Sequence, residues 1–348
     1  QYGEAMNQYS SYIITSESVV RTDNSFSGKS DLYPNTLSGK YDTNYTYEIR
    51  FDGNRLKTIK NRWGDLYWQK MDVPESGSHY SSWLWDGNNT YQYAHNTNEP
   101  GGELYLTLKK IPWGYTKEEV YQSNLSRGYY GGALMGYFSG DDERVDKILM
   151  NAPTLAIREE RENINGSTCY VIDAKTERGN YTLWIDPDHG YNLAKAMIQR
   201  NPNDKYYQKT VEKNSIASFM VENIHFKKMD DVWVPVEADT KLEIQYSYGD
   251  YGITESHHKI TEILFNPDHE ALGSFLTDDI RNGTIVTIIG VDNIQYTWQD
   301  GKVVDKAGKV VDLRAGQADD PNKPAPSKME AETDAAKSSK IVSLVETA

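Results

Sequence analysis

Three times in this chain an Asp-Gly pair stands between short runs in which large apolar and polar side chains alternate: Asp52-Gly53, Asp86-Gly87 and Asp300-Gly301. Before the first, Tyr45, Tyr47 and Ile49 alternate with Thr46, Glu48 and Arg50, and the chain returns through residues 56–60. The second pair joins Trp83-Leu84-Trp85 to Thr90-Tyr91-Gln92-Tyr93, and the third joins residues 295–298 to residues 302–304. A period of two puts successive side chains on opposite faces of a strand, and Asp-Gly supplies the positive φ angles of a tight hairpin. A chain punctuated in this way is built from antiparallel hairpins.

The same pattern resumes from residue 154. Strands are predicted over 155–160, 168–174, 181–185, 194–199, 215–227, 233–239, 241–248 and 259–266, with turns at Asn165-Gly166, Arg178-Gly179 and Asp188-His189-Gly190. Consecutive antiparallel strands with short turns predict one sheet that curls on itself. Helix signals are confined to the middle. Thr116 and Glu119 fit a capping box for a helix to about residue 125. Asp141 to Met150 has acids at its start and Val145, Ile148 and Leu149 spaced for one face. Between them the glycine-rich run 126–140 reads as a loop with buried anchors or a broken helix. Residues 1–314 are expected to form one domain, and the Ala-, Pro- and acid-rich residues 315–348 a disordered tail. Within that tail Ile341 to Val345 is strand-like and able to pair with an exposed sheet edge.

The formal charge is -14, and no Lys/Arg cluster is dense enough to track a phosphate backbone, so no nucleic-acid partner is expected. No apolar run approaches the roughly 20 residues of a spanning helix, so the chain is not expected to be integral to a membrane. The single Cys169 excludes an intrachain disulfide and a multi-cysteine metal site. The chain begins at Gln1 without Met, which fits removal of a signal peptide and a periplasmic or extracellular place in a bacterial cell envelope. Six Asn-x-Ser/Thr sequons, the first at Asn44, read as chance occurrences in a turn-rich chain.

Candidate chemistry is sparse. Asp186-Pro187-Asp188-His189 has an echo in Asn266-Pro267-Asp268-His269, and each copy follows an apolar strand. Pro fixes φ and Asp bonds its own backbone, so both copies read as turns rather than as metal or acid/base sites. His257 and His258 are neighbours on a strand and project to opposite faces, so they cannot chelate one ion together. Cys169 lies mid-strand as a small hydrophobe. Neither a phosphate-cradling loop, a Gly-x-Ser-x-Gly elbow nor a His-Glu-x-x-His pair occurs, and no catalytic group, metal or cofactor is expected. What stands out is aromatic: the chain has 26 Tyr, 8 Trp and 7 Phe. Trp83 and Trp85 share one strand face, Tyr91 and Tyr93 share one on the return strand, and Trp184 lies between Leu183 and Ile185. Those five are the candidate ligand-binding residues, with the alternative that their rings are simply core.

The run 166–200, GSTCYVIDAKTERGNYTLWIDPDHGYNLAKAMIQR, together with DGNRL, WLWDGNNTYQY, DVWVPVEADTKLEI and the late WQDGKVVD, resembles the outer-membrane lipoprotein-sorting (LolA/LolB-like) superfamily. Within it the chain looks like the large uncharacterised members of planctomycete type. The resemblance implies a strongly curved antiparallel sheet, an open or half barrel, with a few short helices on its concave side. It also implies an apolar cavity that holds acyl chains of lipoproteins without cofactor or metal. The function expected is that of an exported, non-enzymatic binding protein for a lipid, lipoprotein acyl chain or other hydrophobic ligand. The alternative is a structural or adhesive surface protein that assembles with itself or a protein partner through sheet edges and the tail. Hydrolysis of a surface glycan stands third.

Overall fold

The computed structural model describes residues 11–25, 38–66, 71–73, 77–96, 101–108, 132–207, 209–229, 231–289 and 294–311. Residues 1–309 and 310–348 form two units, and only residues 310 and 311 of the second are described. The expected helix at 116–125, the tail from 315 and its strand-like 341–345 therefore lie outside the described residues.

Seven strands come first: β1 (Tyr12–Ser25), β2 (Gly39–Phe51), β3 (Leu56–Leu66), β4 (Met71–Val73), β5 (His79–Trp85), β6 (Thr90–Asn96) and β7 (Glu103–Thr107). A short helix α1 (Val145–Met150) precedes β8 (Thr154–Ile157), β9 (Glu162–Ile164), β10 (Ser167–Thr176), β11 (Gly179–Asp186) and β12 (Asn192–Arg200). A small hairpin, β13 (Lys205–Tyr206) and β14 (Lys209–Thr210), leads to β15 (Ile216–Met229), β16 (Val232–Gln245) and β17 (Tyr251–Phe265). The last are β18 (Ile285–Ile288), β19 (Tyr296–Gln299) and β20 (Lys302–Val304). The fold is mainly β, and one large mixed sheet, not closed into a barrel, holds every strand but β13 and β14.

Pairing runs β10-β11-β12-β15-β16-β17, crosses to β1, and continues β2-β3-β5-β6-β7-β18-β19-β20. Strands β8 and β9 lie on β10, and β4 on the far end of β3. Every pair is antiparallel except β7 with β18. The first strand therefore sits mid-sheet, joined to β17 on one side and β2 on the other.

Strand periodicity sorts the side chains onto two faces. Ala133, Leu134, Phe138, Val145 and Ile148 pack on one of them, here the front, against Tyr181, Leu183, Ala196, Ile198, Phe219 and Val221. The front of β10, β11, β12 and β15 is thus filled by the protein's own side chains. A second cluster on the same face joins Tyr12, Ile14, Ile49, Leu56, Val234 and Ile263, with Trp83, Met135 and Tyr137 packed against it.

Local chemistry explains where the sequence reading differs. Helix α1 starts at Val145 rather than Asp141, because Asp141 is drawn into an ion pair with Arg200 and Gly140 before it has φ +92°. The two strands expected at 233–239 and 241–248 are one, β16, since Thr240 continues the alternation, buried between the half-buried Asp239 and Lys241. The first two Asp-Gly loops are longer than a two-residue turn. Phe51 pairs with Leu56 and Trp85 with Thr90, leaving four residues in each loop. There the Asp carboxylate closes the loop: Asp52 Oδ1 accepts the amides of Asn54 and Arg55, and Asp86 Oδ1 those of Asn88 and Asn89. At the third, Gln299 pairs with Lys302 and both Asp300 and Gly301 have positive φ, the two-residue turn expected.

Candidate ligand-binding face

Register assigns the five candidate aromatics. Trp83 pairs with Gln92 and Trp85 with Thr90, whereas Tyr91 pairs with Leu84 and Tyr93 with Ser82. Paired residues share a face, so the two Trp lie on the front and the two Tyr on the back. Trp184 pairs with Val171 and Lys195, also on the back, and is buried with Cys169, Val171 and Ala194 while its Nε1 donates to Glu162 at 2.8 Å. The five do not converge on one surface. The β5-β6 hairpin exposes two faces, and sequence alternation alone cannot say which residues of one strand lie beside which of the other.

On the back, Tyr91 and Tyr93 anchor the segment after β17. Tyr93 is 2% exposed, its hydroxyl accepting the Arg281 amide at 3.3 Å, and Tyr91 meets Trp298 edge-on at 6.5 Å. Beside them the buried Lys57 donates from Nζ to the Leu276 carbonyl at 2.6 Å and to Asp279 at 2.8 Å. Asp279 also accepts from Tyr80 at 2.9 Å and Ser82 at 2.5 Å. Burial pushes the Asp279 carboxyl up, but Lys57 and these hydroxyls outweigh it and hold it below the usual range. These contacts fasten chain to sheet.

The front of β17, β1, β2, β3, β5 and β6 is different. One cross-strand row carries Phe265, Tyr12, Phe51, Leu56 and Trp85, and the next Ile263, Ile14, Ile49, Thr58 and Trp83. A third carries Ile260, Ser16, Tyr47, Lys60 and Ser81, and a fourth His258, Ser18, Tyr45, Arg62 and His79. Along the strands this face therefore passes from apolar and aromatic to hydroxylic and basic. Three two-residue steps separate the outer rows, roughly 20 Å.

At the basic end Tyr45 and Tyr47 stack at 6.0 Å, and Lys60 Nζ lies 4.9 Å and 5.6 Å from their ring centres, within cation–π reach. Burial, then the Arg62 charge, pushes Lys60 down to about 8. Burial, then Arg62 and Lys60, likewise holds His79 below its usual value. His258 is 1% exposed between Ser18 Oγ at 2.9 Å and Thr240 Oγ1 at 3.0 Å, and burial, then His257, pushes it down to about 4. Among the described residues, none of the front-facing side chains of these six strands is a carboxylate. Sequence reading missed Lys60 and Arg62, although their alternate positions in KTIKNR were the signal: residues two apart on a strand share a face.

The other candidate motifs are structural. Asp186 Oδ1 accepts the amides of Asp188 and His189, and Oδ2 lies 2.7 Å from His189 Nδ1. The His189 ring stacks on Phe226 at 4.7 Å and meets Trp233 edge-on at 4.6 Å. In the echo, Asp268 Oδ1 accepts the Ala271 amide and His269 Nε2 lies 3.0 Å from the Phe51 carbonyl. His257 and His258 do face opposite sides, His257 lying between Asp239 at 2.8 Å and Glu237 at 3.3 Å. It borders an open back-face groove of about 490 Å³ whose rim mixes Arg21 and Lys241 with Glu222, Asp239 and Glu255. Cys169 is buried, and burial followed by Asp186 and Asp188 pushes its thiol up to about 11. Among the described residues no three His, Cys, Asp or Glu side chains are placed to hold a metal, and no helix is long and apolar enough to cross a membrane.

No family model matches the sequence, and no curated protein matches it. Among solved structures, the ywiB protein from Bacillus subtilis matches at 5% identity over 72% of this chain and 94% of that one, with a TM-score of 0.19. MucB in complex with MucA(peri) matches at 8% identity over 76% and 96%, with a TM-score of 0.18. The MucA/MucB complex of Pseudomonas aeruginosa matches at 8% identity over 76% and 99%, with a TM-score of 0.17. Likeness at this level carries no argument about fold or function, and the resemblance to the lipoprotein-sorting superfamily rests on the sequence motifs alone.

Proposed function

We propose that the chain is an exported, non-enzymatic binding protein of the bacterial cell envelope that holds a hydrophobic ligand against the front of β1, β2, β3 and β5. The observation that carries this reading is the pair of aromatic rows ending in Trp83 and Trp85. Trp83 is only partly buried and packs against the cluster of Tyr12, Ile14, Ile49, Leu56, Val234 and Ile263, and Trp85 in the neighbouring row is likewise only partly buried. Apolar chains bind by leaving water, at about 25 cal/mol per Å² of surface removed, and need no catalytic group. The filled front of β10, β11, β12 and β15 is not part of the site, and neither are Tyr91, Tyr93 and Trp184.

Binding of the neutral fluorescent probe N-phenyl-1-naphthylamine tests it. Trp83→Ala and Trp85→Ala are each expected to weaken binding roughly tenfold, the loss of one buried aromatic contact, while Trp184→Ala leaves it unchanged. Binding that ignores both front-face substitutions removes these rows from the site. Mass spectrometry of small molecules extracted from the native protein would then identify the cargo.

A second reading, assembly through a sheet edge, is favoured by β8. That outermost strand leaves Leu155 49% and Ile157 61% exposed, the kind of unprotected edge that pairs with another chain. Concentration-dependent oligomers abolished by Ile157→Lys, in a protein that binds no probe, would support it instead.

A further inference from the structure

We propose that the Lys57 amine and the Asp279 carboxyl condense to an intramolecular amide, a covalent cross-link between β3 and the segment that runs from β17 to β18. The cross-link lies on the back of the sheet and does not depend on the ligand held at the front.

A nucleophile and an acyl group are held together here inside the protein. Among the described residues Lys57 is the most deeply buried lysine, 1% exposed, and its Nζ lies 2.8 Å from Asp279 Oδ1 and 3.3 Å from Asp278 Oδ1. The other oxygen of the Asp279 carboxyl, Oδ2, accepts from two hydroxyls on β5, Tyr80 at 2.9 Å and Ser82 at 2.5 Å. Two donors on one oxygen polarise Asp279 Cγ and stabilise the negative charge that this oxygen gains as an amine adds. Asp278, 69% exposed and within reach of the same amine, is placed to carry protons.

Within the pair, the ammonium passes one proton to Asp279 Oδ1, which leaves an amine and a carboxylic acid. The amine lone pair then forms the new C–N bond at Cγ while the π electrons of the C–O bond move to Oδ2. Asp278 takes a second proton from that nitrogen and hands it to the Oδ1 hydroxyl, whose bond to Cγ breaks as the Oδ2 electrons return. One water leaves, and no co-reactant is consumed. Burial favours the product, because an amide replaces two charges that are costly to keep out of water. The neutral pair is a minor species, since burial, which raises the Asp279 carboxyl, is outweighed by Lys57 and the two hydroxyls. The step is therefore slow, but each molecule needs it once, and fixed contact substitutes for a high concentration of either group. Only chains not yet linked titrate at Asp279. The linked residues are 222 apart in sequence, so the bond closes a long loop and restrains the unfolded chain.

Mass spectrometry of the full, denatured chain tests this. The chain is expected to be lighter than its sequence by one water, and digestion to yield a branched peptide joining Lys57 to Asp279. Lys57→Met and Asp279→Ala should each restore that water, and Asp278→Ala should leave most chains unlinked after the same time. A succinimide at an Asp-Gly turn sheds the same mass, but it persists in Lys57→Met and gives no branched peptide. Should a variant not fold, the branched peptide from the unaltered chain decides alone. The full sequence mass, or a missing water without a branched peptide, overturns the cross-link.

Discussion

Arg200 and Asp141 are both 0% exposed, 2.7 Å apart, with the Tyr181 hydroxyl donating to the same Asp141 oxygen at 2.7 Å. Burial pushes the Asp141 carboxyl up, against the pull of Arg200 and Tyr181. Such a pair contributes little net stability, yet breaking it strands a charge in the interior. Asp141→Ala should therefore cost about 3–5 kcal/mol in urea unfolding, whereas Asp141→Leu with Arg200→Met should recover most of that loss. Equal losses in the single and double variants would show that the pair is not what fastens residues 132–150 to the front of the sheet. Cys169 gives a second check at this scale. With its thiol buried and raised to about 11, it should resist a thiol reagent at pH 8 in the native protein and react quickly in urea. Rapid native labelling would place it at the surface.

At the scale of elements, glycines show where the strands have no room. Gly64 in β3 has φ +97°, and a Cβ there would lie 2.6 Å from the Asp42 carbonyl oxygen on β2. Gly166, in the β9-β10 turn, has φ +95° and open space around it. Gly166→Ala should cost only the left-handed backbone penalty, about 1–2 kcal/mol, and Gly64→Ala more, because strand must move from strand. Thermal unfolding of the two variants measures the difference, and equal shifts would mean that β2 and β3 are not held at this spacing. Strands were legible in the sequence where alternation was regular, as in 45–50 and 181–185, and so were the places of the Asp-Gly and Pro-Asp turns, because their chemistry is local, though not the four-residue length of the first two Asp-Gly loops. Which residues meet across strands was not. Pairing between Ser18 and His258, or the opposite faces of Trp83 and Tyr93, depends on register that no single strand encodes. The start of α1 was misplaced for the same reason, since Asp141 reads as a helix-start acid until Arg200, far along the chain, is brought to it.

For the whole molecule, burial of histidines sets the response to acid. His258 and His95 are lowered from 6.5 to about 4, His258 by burial and then His257, His95 by burial and then Arg281. Both are neutral in the folded protein at pH 6, where the unfolded chain takes up protons. Their stability contribution is therefore full above about pH 6.5 and is lost as pH falls toward 4, on the order of 3 kcal/mol at most for His258 and less for His95, whose surroundings are more solvated. Asp186, Asp239 and Asp279 are held below their ordinary values, where hydrogen bonds and nearby positive charge outweigh the burial that raises them. Their contribution is lost lower, as pH falls through the depressed folded values. Urea midpoints should decline first between pH 6.5 and 4, and His258→Gln should flatten that part of the curve. An unchanged curve in that variant would mean His258 is not buried neutral.

The place of β1 has a consequence for how the chain is made. It is synthesised before every other described strand, yet one of its two neighbours is β17, completed only at residue 265. Until then its partner edge has nothing to pair with, and a long row of open amides and carbonyls waits on the growing polypeptide. Final assembly is therefore a late, long-range event, and a cell producing this protein must shield an early strand from other chains through most of translation.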